Sequence, residues 1–196
     1  MSKLVYGKGF NDKTKPTWVD GKDVKEYKLW QHMLERCFSE KYQTKQPTYK
    51  GCNVSDNFLH YSFFYDWCQE QIGFGKVDDK GRYWELDKDL LFVGNKTYSE
   101  TTCVFVPQEV NLFFTDSGNA RGEYPVGVSF DKARGKFKAQ CKVNGKRQYL
   151  GRFNTPQEAF AVYKPFKENL CKQLALKWQS EIDERLFNTM MNWTVN

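Results

Sequence analysis

Taken in steps of two, the stretch GKFKAQCKV (135–143) sends Phe137, Ala139, Cys141 and Val143 one way and Lys136, Lys138, Gln140 and Lys142 the other. Strict alternation predicts a strand with one buried face. Asn144-Gly145 follows, a pair that tolerates the positive φ of a tight hairpin turn, and KRQYLGRF (146–153) predicts the returning partner. YPVGVSF (124–130), joined through DKARG, supplies an earlier strand, so a three-stranded antiparallel sheet is expected. At NTPQEAF (154–160) the period changes. Thr155 suits a helix N-cap, Pro156 the first helical position, and Glu158 lies three residues after the cap, which is a capping box. Ala159, Tyr163, Phe166, Leu170 and Leu174 then line one face of a long helix. That face must cover the apolar side of the sheet, because neither is stable in water. Pro165 lacks a backbone donor and predicts a kink near residues 161–165.

Upstream, the helical period returns twice. In VKEYKLWQHMLERCFSE (24–40), Tyr27, Trp30, Leu34, Cys37 and Phe38 share a face, with Met33 beside them. NFLHYSFFYDWCQEQIGF (57–74) repeats the pattern with Phe58, Tyr61, Phe64, Tyr65 and Cys68, capped by Asp56 or Asn57. Helical spacing without interleaved Lys or Arg makes this aromatic stripe a core face and not a base-stacking platform. The expected fold class is α+β. Residues 1–20 read as a flexible basic arm, 21–116 as an aromatic-rich helical unit, and SGNARGE (117–123) as a linker. Residues 123–178 read as the sheet-and-helix unit and 179–196 as a C-terminal helix and tail.

Charge sharpens this division. The 196 residues carry a net +6. Between Arg121 and Arg152, nine Lys and Arg stand against two acids, a local +7 that leaves −1 for the rest of the chain. The basic character therefore belongs to the predicted sheet, where solubilising surfaces ordinarily mix both signs. No apolar run approaches the length of a bilayer span, and MSKLVYGKGF lacks the apolar centre of a secretory leader, so a soluble cytoplasmic protein is expected. The six cysteines form no CxxC pair and the two histidines add no ligand-like spacing. Reduced cysteines serving as small core residues are the expectation.

Four segments carry a resemblance: VGV (126–128), GKFKA (135–139), YLGRF (149–153) and TPQEAFAVY (155–163). Together they resemble the ethylene-response-factor, or Apetala-two type, DNA-binding domain. The resemblance implies a sheet laid in the DNA major groove. By position, Lys142, Arg147 and Tyr149 match the family's DNA-contact residues in charge or aromatic character, and Lys136 matches a backbone contact. The first strand departs from the family: Val126, Ser129 and Asp131 stand where it places arginines, and Arg134 is the substitute contact. With Lys132, Lys138 and Arg152, these cations make a candidate face for double-stranded DNA, since a rigid sheet presenting five or more cations binds a duplex by counterion release.

The stretch YWELDKDLLFVGNKTYSETTCVFVPQEVN (83–111), with YKLWQHMLERCF and PTYKGCNVSDNF before it, resembles phage-encoded HNH homing endonucleases bearing the same C-terminal domain. That resemblance places the protein in the cytoplasm of an infected bacterial host. It puts Asp87 at a metal-binding position, Lys88 where the general-base His belongs, Asn95 at the middle Asn, and Asn111 at the last metal-side position. Lysine, with an ordinary pKa near 10.4, is a poor base at neutral pH. Two readings stand for this unit. In one, Asp87, Asp89 and Asn111 hold Mg²⁺ and Asp87 and Lys88 are catalytic. In the other, the acids are ordinary turn and ion-pairing residues. DNA binding itself needs no cofactor. A host or phage protein is the other partner class considered, and a membrane is not expected.

Overall fold

The computed structural model describes residues 4–115, 123–143 and 145–195. The chain forms two compact units. The first runs to Leu112 and regains Ser180–Leu186; the second comprises Phe113–Gln179 and the chain from Phe187 onward. No helix among the described residues is long and apolar enough to cross a membrane. The fold class is α+β, as expected.

The first unit begins with a small hairpin of β1 (Trp18–Val19) and β2 (Lys22–Asp23), followed by α1 (Lys25–Phe38) and α2 (Glu40–Lys45). Strand β3 (Asn53–Val54) leads into α3 (Asp56–Leu59) and α4 (Tyr61–Glu70). Then come β4 (Glu85–Asp87), β5 (Thr97–Tyr98), which pairs with β3, and β6 (Val104–Val106), which pairs antiparallel with β4. Helix α5 (Gln108–Phe114) follows directly. Trp30, Phe58, Tyr61, Phe64 and Phe105 are fully buried, and the Trp30 indole donates to the Phe58 carbonyl at 2.8 Å. Each such side chain contributes about 1.5–3 kcal/mol relative to exposure. The aromatic stripe is core, as its spacing implies.

Two expectations are corrected here. Residues 57–74 do not make one helix. His60 is extended (φ −91°, ψ 118°), and the cap is Ser55, whose hydroxyl accepts from the Phe58 amide. The break has a tertiary cause: Phe10 inserts beside His60, donating to the Leu59 carbonyl at 2.8 Å and accepting from the Tyr61 amide at 3.0 Å. The same contacts show that the described part of the 1–20 segment is not a flexible arm. Lys15 pairs with Asp66, and the Tyr61 hydroxyl donates to the Pro16 carbonyl at 2.6 Å.

The second unit holds the sheet β7 (Val128–Asp131), β8 (Lys136–Val143) and β9 (Lys146–Phe153), antiparallel in that order, and the helix α6 (Pro156–Trp178). Both halves of the Thr155–Glu158 capping box form. The helix is continuous through Pro165. Ala139 and Cys141 of β8 pack with Ala159 and Tyr163 of α6 and with Val195, ringed by Val128, Phe137, Leu150, Phe153 and Phe166. Gly127 (φ +77°) leads into β7 against the Tyr163 ring, where a Cβ would lie 2.1 Å from the ring. Within the 179–196 read as helix and tail, the helix is α7 (Glu184–Met191), and Val195 is held by Lys164 and Glu168 of α6. Of the expected linker 117–123, residues 117–122 lie outside the described residues, Arg121 among them, as does Asn144, while Gly145 takes the positive φ (+79°) that the hairpin turn needs.

Candidate nucleic-acid interface

Register decides which side chains share a face, because paired residues in adjacent strands project to the same side of a sheet. Asp131 pairs with Lys136, and Ser129, Lys138 and Arg152 form one row across all three strands. Gln140 pairs with Tyr149 and Lys142 with Arg147. The opposite rows are Phe130–Phe137–Phe153 and Val128–Ala139–Gly151, of which Phe137, Phe153, Val128 and Ala139 join the core under α6 while Phe130 is exposed. Five cations therefore share the face turned away from the helix: Lys136, Lys138, Lys142, Arg147 and Arg152. Gln140 and Tyr149 lie among them.

One feature of this face is absent from the alternation pattern. The register shifts between Ala139 and Gln140, so that Leu150 is an extra residue in β9. Strict alternation would place Tyr149 and Arg152, three residues apart, on opposite faces. The bulge turns Leu150 into the core and leaves Tyr149 and Arg152 on the same open side. Gly151 makes this possible. It adopts φ +139°, and a Cβ there would lie 2.8 Å from the Phe153 ring.

The open face is electrostatically sparse in acids. Lys136, Lys138, Lys142 and Arg147 enter no ion pair among the described residues. The acid on this face is Asp131, which accepts from Nε of Arg152 at 3.1 Å and lies 3.6 Å from Arg134. Burial pushes its pKa up, but the Arg152 hydrogen bond and the charges of Lys138, Arg134 and Arg152 together outweigh this and hold it below the usual carboxylate range. Lys132 and Arg134 extend the cationic surface from the β7–β8 turn, both exposed. Tyr149 is half exposed, with the Arg152 guanidinium 5.2 Å from its ring centre. Every cation that the sequence nominates is thus on this face or its adjoining turn. Alternation puts Gln140 on this face, though without a charge it is no candidate cation, and the only trace of the bulge in the sequence is a glycine inside an apparent strand.

The 85–111 candidates lie in the first unit and are tied into its backbone. Oδ1 of Asp87 accepts from the amides of Asp89 and Leu90 at 2.8 and 2.9 Å, closing the turn after β4. Burial, and then the nearby Asp89 charge, raise the Asp87 pKa to about 6. Lys88 is 7% exposed, and its ammonium is 3.0 Å from Asp89 and 3.5 Å from the Asn95 carbonyl. Burial disfavours its charge, but the hydrogen bond and charge of Asp89 prevail and its pKa is raised. A general base needs the reverse. Asn95 clamps the loop by donating to the carbonyls of Lys88 and Thr97 at 2.6 and 2.7 Å. Asn111 donates to Glu85. Asp87, Asp89 and Asn111 thus each have a protein partner. Among the described residues no group of three or more His, Cys, Asp or Glu side chains is placed to hold a metal ion. All six cysteines are free and buried.

No protein-family model, curated protein or solved structure matches this chain.

Proposed function

We propose that the protein binds double-stranded DNA through the open face of the β7–β8–β9 sheet. The observation that carries this reading is the pairing register, which gathers five cations on one side of a layer whose other side is sealed by α6. The dimensions suit a duplex. From Lys136 to Lys142 the strand advances roughly 20 Å, at about 3.4 Å per residue. Four of those cations enter no ion pair among the described residues, so phosphate contact breaks none. Strands β8 and β9 carry all five, and a two-stranded ribbon fits a major groove about 12 Å wide. Resemblance to the Apetala-two type domain supports the same use of the sheet.

The test is fluorescence anisotropy with a labelled duplex and the triple variant Lys138→Glu/Lys142→Glu/Arg147→Glu. These side chains are solvent-facing, so the fold is retained. The variant is expected to lose about 100-fold or more in affinity at moderate salt. Unchanged affinity removes the proposal.

A second reading is cleavage by an HNH-type unit, supported by the resemblance that puts Asp87 and Asn111 at metal-side positions, on the antiparallel pair β4–β6 and the helix α5 that follows. The upward pKa of Lys88 and the occupied carboxylates weigh against it. Supercoiled plasmid nicked in Mg²⁺ or Mn²⁺ by the wild type and not by Asp87→Ala establishes it. No nicking leaves binding as the activity.

A further inference from the structure

We propose that Arg152 is the base-reading residue of this face, specific for guanine, and that Asp131 is its positioning residue. The inference rests on the DNA-binding reading above and adds a division of labour among the cations.

Arg152 differs from its neighbours in being held. It projects from β9, yet its Nε donates to Asp131 of β7, so its side chain crosses over the central strand. The guanidinium thus lies over β8 in the neighbourhood of Lys136 and Lys138, the partners of Asp131 and Arg152 in the ladder. The Tyr149 ring, 5.2 Å from the guanidinium carbon, braces it from a second side. Asp131 has a side chain only 11% exposed, so its carboxylate is set into the sheet and fixed. One of the five N–H donors of Arg152 is spent on Asp131, and the Nη groups have no hydrogen-bond partner among the described residues. A planar fork held in one orientation matches the paired O6 and N7 acceptors of guanine in the major groove.

Lys136, Lys138 and Lys142 lack such restraint. An ammonium on a flexible stem is a point charge that follows phosphates without selecting a base. The bulge adds a second argument. Without Leu150 as the extra residue, Arg152 would face α6; the chain keeps a distorted strand and a glycine at φ +139° that together bring it to the open side.

Duplexes are selected from a random pool by the full chain, and binding is measured with single guanines replaced by 7-deazaguanine, which keeps pairing and backbone charge but lacks N7. The readout is the affinity ratio of the guanine duplex to its 7-deaza partner, from which changes in overall affinity cancel. For the wild type one position is expected to give a ratio of about ten. Arg152→Lys and Asp131→Asn both lower it to about one, Asp131→Asn with the arginine still present. A merely structural Asp131 shifts thermal stability and leaves the ratio intact. A selected site with no guanine-sensitive position, or a ratio preserved in Arg152→Lys, overturns the inference while duplex binding stands. A ratio preserved only in Asp131→Asn overturns the positioning role. Failure of the wild type to bind any duplex overturns the proposed function and this inference together.

Discussion

Asp87 is a metal-side candidate by its place in LDKD and closes a turn by its hydrogen bonds. LDKD names it by position; the structure shows it accepting two amides in a turn while burial and Asp89 oppose its charge. A folded-state pKa raised to about 6 means that, between roughly pH 4 and 6, the native state binds more protons than the unfolded chain. Stability from this group therefore rises as pH falls through 6 and is lowest above it. Asp87→Asn keeps the amide-accepting oxygen without the charge. In EDTA-containing buffer, thermal and urea unfolding should show this variant more stable than wild type by on the order of 1–2 kcal/mol at pH 7.5, the difference vanishing near pH 4. A constant difference across that range contradicts the assignment. The sequence made Asp87 visible but not its burial, since that depends on residues distant in the chain. Asp131 is the converse: in the sequence it is a missing arginine, and in the structure it accepts a hydrogen bond from Arg152 across β8.

Elements differed in legibility for a physical reason. Strand β8 and the start of α6 were readable because alternation, turn chemistry and a capping box are local devices, each complete within a few residues. Thr155→Ala should accordingly cost the second unit about 1 kcal/mol in urea unfolding, with the sheet's DNA affinity per folded molecule unchanged. A loss below about 0.3 kcal/mol contradicts a working cap. The break between α3 and α4 was not readable. His60 sits inside a continuous helical period, and what interrupts it is Phe10, fifty residues earlier in the chain, entering as a strand-like partner. The bulge in β9 was hidden in the same way: Gly151 hints at it, but its register follows from Leu150 packing into the core.

At the scale of the molecule, charge and architecture coincide. The sequence localised a net +7 between residues 121 and 152, and the fold places five of its cations on one side of one sheet, away from the covering helix. The boundaries were less visible: the expected 21–116 and 123–178 divisions miss the return of Ser180–Leu186 to the first unit, which no local composition marks. The proposed duplex binding by such a surface would run chiefly through displaced counterions, and its signature is the salt dependence of affinity. The most direct measurement is therefore the slope of log K against log salt for a short duplex, taken for the wild type and for Lys138→Glu/Lys142→Glu/Arg147→Glu. The account predicts a slope of about −4 to −5 for the wild type, shallower by about three in the variant. Equal slopes for the two proteins, or a wild-type affinity indifferent to salt, would contradict it.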